Sequence, residues 1–412
     1  MEEVKRTQKE KVLLLGVNCG EADTETAMDE LVRLADTAGA EVQGTMVQNR
    51  RAPKGSTYVG HGLLQEIAAF CKANETDLII CNDELTPTQI KNMEDETDVR
   101  VIDRTDLILD IFAAHAKSSE GKIQVELAQL QYLLPRLAGR GTALSRLGGG
   151  IGTRGPGETK LESDRRHIRR RIQFLKTQLA ETEKRRRSQL QRRKKDGVRT
   201  VALVGYTNAG KSTLMNALTG AGVLAEDKLF ATLDPTARRL TLPDGQNVML
   251  IDTVGFIRRL PHRLVEAFHS TLETAVYADL ILNVCDAADP NCFEQMKVTS
   301  DVLTALGAAR APVLNVLNKS DLLSEAPVFM GKTVTISAKT GDGIDKLLDE
   351  IVRMLPQTKK RARLLVPFAQ AGVLGEIRQN GVVYSENYTE NGIEADVLAE
   401  AAFLQAHRAL IL

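Results

Sequence analysis

The sequence predicts an α/β chain in four parts: an N-terminal parallel α/β domain (1–104), an antiparallel helical hairpin with a glycine-rich loop (105–197), a second α/β domain (198–357) and a small α+β C-terminal domain (358–412). Strand-like and helix-like runs alternate over 11–103 and again over 199–356, as they do when crossover helices join parallel strands. Over 105–196 apolar residues recur at helical spacing only. Near the C-terminus two strand-like runs flank Asn391-Gly392, a strong hairpin turn signal. A chain of 412 residues is also too long for one ordinary domain.

In the first part the expected strands are Lys11–Val17, Val42–Val47, Asp77–Cys81 and Arg100–Ile102. The expected helices are Thr24–Ala38, Leu63–Phe70 and Thr86–Glu94, the last with Pro87 in its first turn. In the second part Ile123, Leu127, Leu130 and Leu134 form one apolar stripe, and Leu161, Ile168, Ile172, Leu175 and Leu179 another. Glycine-rich 147–158 lies between them, and a loop of that length is more often functional than decorative. Leu355-Pro356 and the basic run 359–363 mark the last boundary. A helix, the strand-like runs Gly381–Tyr388 and Ile393–Val397, and a helix over 398–408 follow.

Lys+Arg and Asp+Glu balance at 54 each, so only the distribution of charge is informative. From Lys160 to Arg199 there are sixteen Lys and Arg against five Asp and Glu, a net of +11. A solvated helix face could explain this, but mixed signs would serve solubility better. The block fits a polyphosphate partner such as RNA. Aromatic residues are only 4% and Trp is absent, which argues against a stacking platform for single-stranded bases. The five cysteines form no CxxC pair or metal-spaced cluster and are expected to be reduced thiols. No signal peptide and no run of about 20 apolar residues is found. The expectation is therefore a cytoplasmic protein with no membrane contact; it is taken to be a monomer.

The chemistry lies in the third part. A buried strand, Arg199–Val204, runs into Gly205-Tyr206-Thr207-Asn208-Ala209-Gly210-Lys211-Ser212, and a helix follows from Thr213. This is a P-loop in its required strand–loop–helix setting. The glycines let backbone N–H groups face phosphates, and the helix start adds partial positive charge. Lys211 should reach the β- and γ-phosphates and Ser212 should ligate Mg²⁺. Asp252-Thr253-Val254-Gly255 ends the apolar strand Val248–Ile251. Asp252 there can hold the Mg²⁺ shell through water, and Gly255 can offer its N–H to the γ-phosphate. Asn318-Lys319-Ser320-Asp321 ends Val313–Leu317. The Asp321 carboxylate can accept both the N1–H and the N2 amine of guanine, a pair that adenine lacks. The Lys319 stem can lie over the base, Asn318 can tie this loop to the P-loop, and Ser337-Ala338-Lys339 fits a backbone contact to guanine O6. In this order the motifs make the third part a P-loop GTPase domain that binds GTP and GDP.

A γ-phosphate sensor is expected in Leu229-Phe230-Ala231-Thr232-Leu233-Asp234-Pro235-Thr236. A threonine there could ligate Mg²⁺ only when the γ-phosphate is present, and Thr232, Thr236 and Thr241 all carry the hydroxyl. Phe256 stands where Ras-like enzymes have a water-orienting glutamine. Hydrolysis is therefore expected to be slow until a partner, or another residue of the chain, completes the site.

These motifs, with FATLDPT and DTVGF, resemble those of the Obg–HflX group of translation-factor-related GTPases. Gly149-Gly150-Ile151-Gly152-Thr153-Arg154-Gly155-Pro156-Gly157-Glu158-Thr159-Lys160-Leu161-Glu162 is similar to the hallmark segment of the HflX family. So are Asn82–Pro87 with Gln89 and Asn92–Glu94, and Asp103-Arg104-Thr105 with Leu127–Leu134. Tyr58–Gly62 is similar to the family's YxGxGK turn, but His61 and Leu63 depart from it. The resemblance implies the four-part architecture and binding to the large ribosomal subunit and its rRNA. It implies a role in splitting or rescuing stalled ribosomes under stress, or in ribosome biogenesis. Matching FATLD implies that Thr232 is the second Mg²⁺ ligand beside Ser212. The implied catalytic set is Lys211, Thr232 and Gly255. The nucleotide-binding set adds Gly205 to Thr213, Phe230 to Asp234, Asp252 to Gly255, Asn318 to Asp321 and Ser337 to Lys339. Two other classes compete: a nucleotide switch that recruits a protein or membrane partner, and an RNA chaperone or helicase.

Overall fold

The computed structural model describes residues 9–20, 24–145, 156–195, 198–220, 229–230, 232–258, 276–305, 307–308, 311–323, 332–355 and 359–412. The N-terminal sheet comprises β1 (Lys11–Asn18), β2 (Glu41–Asn49), β3 (Leu78–Cys81) and β4 (Arg100–Asp103). All pairings are parallel, in the order β2-β1-β3-β4. Val12 to Leu15 are fully buried, as a strand covered on both faces requires. Helices α1 (Thr24–Thr37), α2 (His61–Asn74) and α3 (Pro87–Thr97) connect the strands. A capping box between Thr86 and Gln89 starts α3, with Pro87 just inside.

The chain turns directly from β4 into α4 (Arg104–His115), a helix that the apolar pattern of the sequence does not separate from the hairpin. Its Leu107, Ile108, Ile111 and Phe112 are buried with Val12, Leu14, Leu31 and Leu34 in the N-terminal core. Asp103 organises this corner. It is fully buried, and its carboxylate accepts from the backbone of Asp106 (3.1 Å) and Leu85 (3.0 Å) and from Arg136 (2.8 Å).

The hairpin consists of α5 (Ser119–Ser145) and α6 (Pro156–Lys195). The ion pairs Arg171–Glu126 (2.7 Å) and Arg186–Glu120 (2.6 Å) run in opposite sequence directions, so the helices are antiparallel. Leu127 and Leu175 are buried, whereas Ile123, Leu130, Leu134, Ile168, Ile172 and Leu179 are half-buried. Helix α5 uses a second face, through Val125, Ala128 and Tyr132, against the N-terminal core. Leu161 and most of the glycine-rich loop lie outside the described side chains, while Pro156–Glu158 form the first turn of α6.

The third part has six strands: β5 (Arg199–Gly205), β6 (Thr236–Thr241), β7 (Asn247–Asp252), β8 (Leu280–Asp286), β9 (Val313–Asn318) and β10 (Thr333–Thr335). Their order is β10-β9-β8-β5-β7-β6, parallel except for β6, which is antiparallel to β7. Strand β6 holds Thr236 and Thr241, and its short polar sequence gives no strand signal. Helices α7 (Lys211–Thr219), α8 (Cys292–Ala305) and α9 (Ile344–Met354) are described here.

The last part is a three-stranded antiparallel sheet, β11 (Lys359–Val366), β13 (Gly392–Glu400) and β12 (Val382–Thr389), with α10 (Gly372–Asn380) and α11 (Ala401–Ala406). The basic run 359–363 is thus the start of a strand rather than a linker. Alternation explains it: Leu364 and Val366 are buried, while Arg361 faces out and pairs with Asp396 (2.5 Å). Strand β13 runs on to Glu400, so the last helix starts later than the expected 398.

Replacing Asp103 by Ala would leave two backbone N–H groups without their acceptor and remove the buried carboxylate that pairs with Arg136. The expected cost is about 3–5 kcal/mol, read from denaturant unfolding. Asp103→Asn, which keeps one acceptor oxygen, should cost less.

Candidate functional site

Strand β5 ends at Gly205, where φ is +147° and the Val284 carbonyl stands where a Cβ would go, so that only glycine fits. Asn208 (φ +61°) and Gly210 (φ +88°) then curl the chain into α7. Tyr206, Thr207, Ala209 and Lys211 are buried, and Ser212 and Thr213 are half-buried. Lys211 Nζ donates to the carbonyls of Gly205 (3.2 Å) and Tyr206 (2.8 Å), holding the loop closed. Burial pushes the Lys211 ammonium down to about 8, opposed chiefly by Asp252.

Three side chains meet at the head of α7. Ser212 Oγ lies 2.8 Å from Asp252 Oδ2 and 2.8 Å from Thr232 Oγ1, and Thr232 Oγ1 lies 3.1 Å from Asp252 Oδ2. Geometry separates the threonines that chemistry left equal. Thr236 bonds the Asp234 carbonyl (3.5 Å) and Thr241 bonds Asn247 (3.0 Å), both along β6. Asp252 is fully buried, and burial pushes its carboxyl upward despite Lys211 and the two hydroxyls. Its Oδ1 has no hydrogen-bond partner among the described residues. A buried carboxylate with an unused oxygen beside two hydroxyls is the donor set for a hard divalent cation with its waters.

Thr253 turns inward and bonds the Leu203 carbonyl (2.7 Å). A Cβ at Gly255 would lie 2.8 Å from Thr207 Cα and 3.1 Å from Lys211 Nζ, so a glycine here lets the strand end pack directly against the P-loop. The Phe256 backbone exchanges hydrogen bonds with Gly205 (3.0 Å) and Thr207 (2.8 Å), and its ring is buried with Ala202, Val204 and Ile281. The ring is therefore committed to the core, and it carries no group that could orient a water.

On the base side Asn318 joins three loops. Its Nδ2 donates to the Ala209 carbonyl (2.9 Å), and its Oδ1 accepts from the Ala338 N–H (2.9 Å). Ser337 donates to Asp321 Oδ1 (2.6 Å). That bond, with Lys339 and Lys319, holds the exposed Asp321 carboxyl below its ordinary range. Lys319 (φ +64°) pairs with Asp286 (2.6 Å), and the Ser320 N–H donates to the Ile336 carbonyl (3.1 Å).

Other residues grouped with the nucleotide point elsewhere. Phe230, Leu233 and Val254 are buried in the N-terminal core, and the Asp234 carboxylate is bound to the backbone of Lys117 and Ser118. Ala231 lies outside the described residues. Sequence reasoning also missed a link between P-loop and N-terminal domain. Tyr206 donates its hydroxyl proton to Glu30, Arg104 pairs with Glu30, and Arg104 also reaches the Arg258 carbonyl (3.3 Å). No spacing rule could reveal it, because its members are far apart in the sequence.

Family models match in chain order: a GTP-binding GTPase N-terminal region over residues 25–113, its middle region over 115–193, and a 50S ribosome-binding GTPase over 200–319. A GTPase HflX of Caldanaerobacter subterraneus subsp. tengcongensis is 53% identical over 97% of this chain and 94% of its own length. The chain belongs to the HflX GTPase family. The GTPase HflX of Escherichia coli is 43% identical, over 89% of this chain and 87% of its own. A solved GTP-binding protein from Sulfolobus solfataricus, in complex with GDP, is 26% identical over 84% of this chain and 98% of its own, with a TM-score of 0.45.

Changing Asp321 to Asn would exchange a double acceptor for a donor and an acceptor. GTP affinity should fall about 100-fold, or some 3 kcal/mol, while xanthosine triphosphate should bind better than it does to the parent. Titration with both nucleotides checks this.

Proposed function

We propose that this chain is a Mg²⁺-dependent GTPase that works on the large ribosomal subunit, and that the subunit accelerates its hydrolysis. The convergence of Ser212, Thr232 and Asp252 carries the metal half of this reading. Ser212 and Thr232 would be direct ligands, and Asp252 would act through water. The ion neutralises charge on the β- and γ-phosphates when bound. Lys211 would leave the loop carbonyls for those phosphates, and the Gly255 N–H would hold a γ-oxygen. Asp321, held ionised by Ser337, would select guanine.

Two observations support the ribosomal half. One is the description of the family model over 200–319. The other is helix α6, whose Arg166, Arg169, Arg170, Lys176, Lys184 and Arg185 are exposed and free to face a phosphate backbone. With the Phe256 ring buried, nothing at that position prepares a water, so docking on the subunit would complete the site. In this reading GTP favours attachment, GDP favours release, and the protein acts as a cytoplasmic monomer. Its work would be ribosome splitting or rescue under stress, or ribosome biogenesis. Among the described residues no helix is long and apolar enough to cross a membrane.

Purified large subunits should raise the GTP turnover rate by about tenfold or more. Binding and stimulation should fall steeply as salt is raised. Lys211→Ala should abolish turnover with or without subunits. An unchanged rate at saturating subunit would overturn the ribosomal half, and turnover by the Lys211 variant would overturn the site assignment.

A further inference from the structure

The sensor segment is fastened at both ends to parts of the molecule outside the GTPase domain. On the N-terminal side of Thr232, the Leu229 N–H donates to Thr37 Oγ1 of α1 (3.3 Å). The Phe230 ring meets Phe112 of α4 edge-on, with centroids 4.7 Å apart and planes at 82°. Both residues are buried in the N-terminal core. On the other side Leu233 is buried in the same core. Next to it, Asp234 Oδ2 accepts from the backbone of Lys117 (3.0 Å) and Ser118 (2.7 Å), and Oδ1 accepts the Ser118 hydroxyl proton. The Ser118 oxygen in turn accepts from the Gly121 N–H (2.8 Å) in the first turn of α5.

Thr232 therefore lies between two anchors, each two residues away. A segment so short, held at both ends, leaves its hydroxyl few positions. The anchors differ in kind. Phe230 and Leu233 are packed in the core, and close-packed cores do not open by small steps. Asp234 is only half-buried. Its donors sit at the start of a helix, where N–H groups have no partner within the helix and water can replace a carboxylate. That contact can be made and broken at modest cost.

We propose that Asp234 and Ser118 form a releasable joint through which the start of the hairpin positions Thr232 for the metal and the γ-phosphate. Asp234 and Ser118 are positioning residues in this scheme. The proposal rests on the reading of Thr232 as a GTP-dependent ligand. Coupling of this kind is reciprocal. GTP, by holding Thr232, fixes the start of α5, and a partner that moves the hairpin shifts the sensor.

Amide hydrogen exchange at Lys117 and Ser118 tests the joint in the full chain with Mg²⁺. Exchange should be at least tenfold slower with a non-hydrolysable GTP analogue than with GDP. Asp234→Ala should erase that difference, lower kcat about tenfold and weaken the analogue, yet leave GDP affinity unchanged. Asp234→Asn should recover part of the loss, and Ser118→Thr should outperform Ser118→Ala. Equal exchange in the two nucleotide states would overturn the joint, as would an Asp234→Ala variant that weakens GDP and the analogue alike. The metal reading fails separately: Thr232→Ala would then leave analogue affinity unchanged, whatever the amides of Lys117 and Ser118 do.

Discussion

A fully buried carboxylate, Asp252, is the constraint on which the rest of the molecule depends. Ionised carboxylates are costly in a protein interior unless paired and hydrogen-bonded. Here the compensation comes from Lys211 and from the hydroxyls of Ser212 and Thr232, and one oxygen stays without a partner among the described residues. The arrangement suits a cation with its waters. It also draws together the P-loop, the strand end at β7 and the segment that carries Thr232, which are separate in sequence. The apolar sheet below supplies the rigidity, and glycines at 205 and 255 supply the close approach.

The second organising feature is the core shared between the N-terminal unit and the GTPase domain. Phe230, Leu233, Val254 and Ile257 are packed with Leu31, Ile108 and Phe112. The segments around Thr232 and Gly255 are thus set against α1 and α4 as well as against the P-loop. Tyr206 extends the contact into the P-loop through Glu30 and Arg104. The hairpin stands on the same core through Val125, Ala128 and Tyr132, so the basic face of α6 and the nucleotide site share one foundation.

Much of this was legible in the sequence because it is local. The P-loop, Asp252–Gly255 and Asn318–Asp321 are contiguous, and each ends an apolar strand as expected. The N-terminal parallel sheet and the parallel strands of the GTPase domain followed from strand–helix alternation. The basic run at 359–363 concealed a strand, because period-two burial of Leu364 and Val366 lies downstream of the charges. Strand β6 exists through its pairing with β7 rather than its own propensity. The choice among Thr232, Thr236 and Thr241 could not be made from chemistry, since the backbone path decides which hydroxyl reaches Ser212. The bonds of Asp234 to Ser118 and of Tyr206 to Glu30 join distant residues, and a single sequence carries no local mark of either.

The central claim is that Thr232 closes on the metal only when a γ-phosphate is present. Replacing Mg²⁺ by Mn²⁺ and measuring its affinity by electron paramagnetic resonance tests this most directly. Mn²⁺ should bind more tightly to the complex with a non-hydrolysable GTP analogue than to the GDP complex. Thr232→Ala should remove most of that difference while leaving Mn²⁺ affinity in the GDP complex as it was. A difference of the same size in the parent and the Thr232→Ala variant would contradict the account.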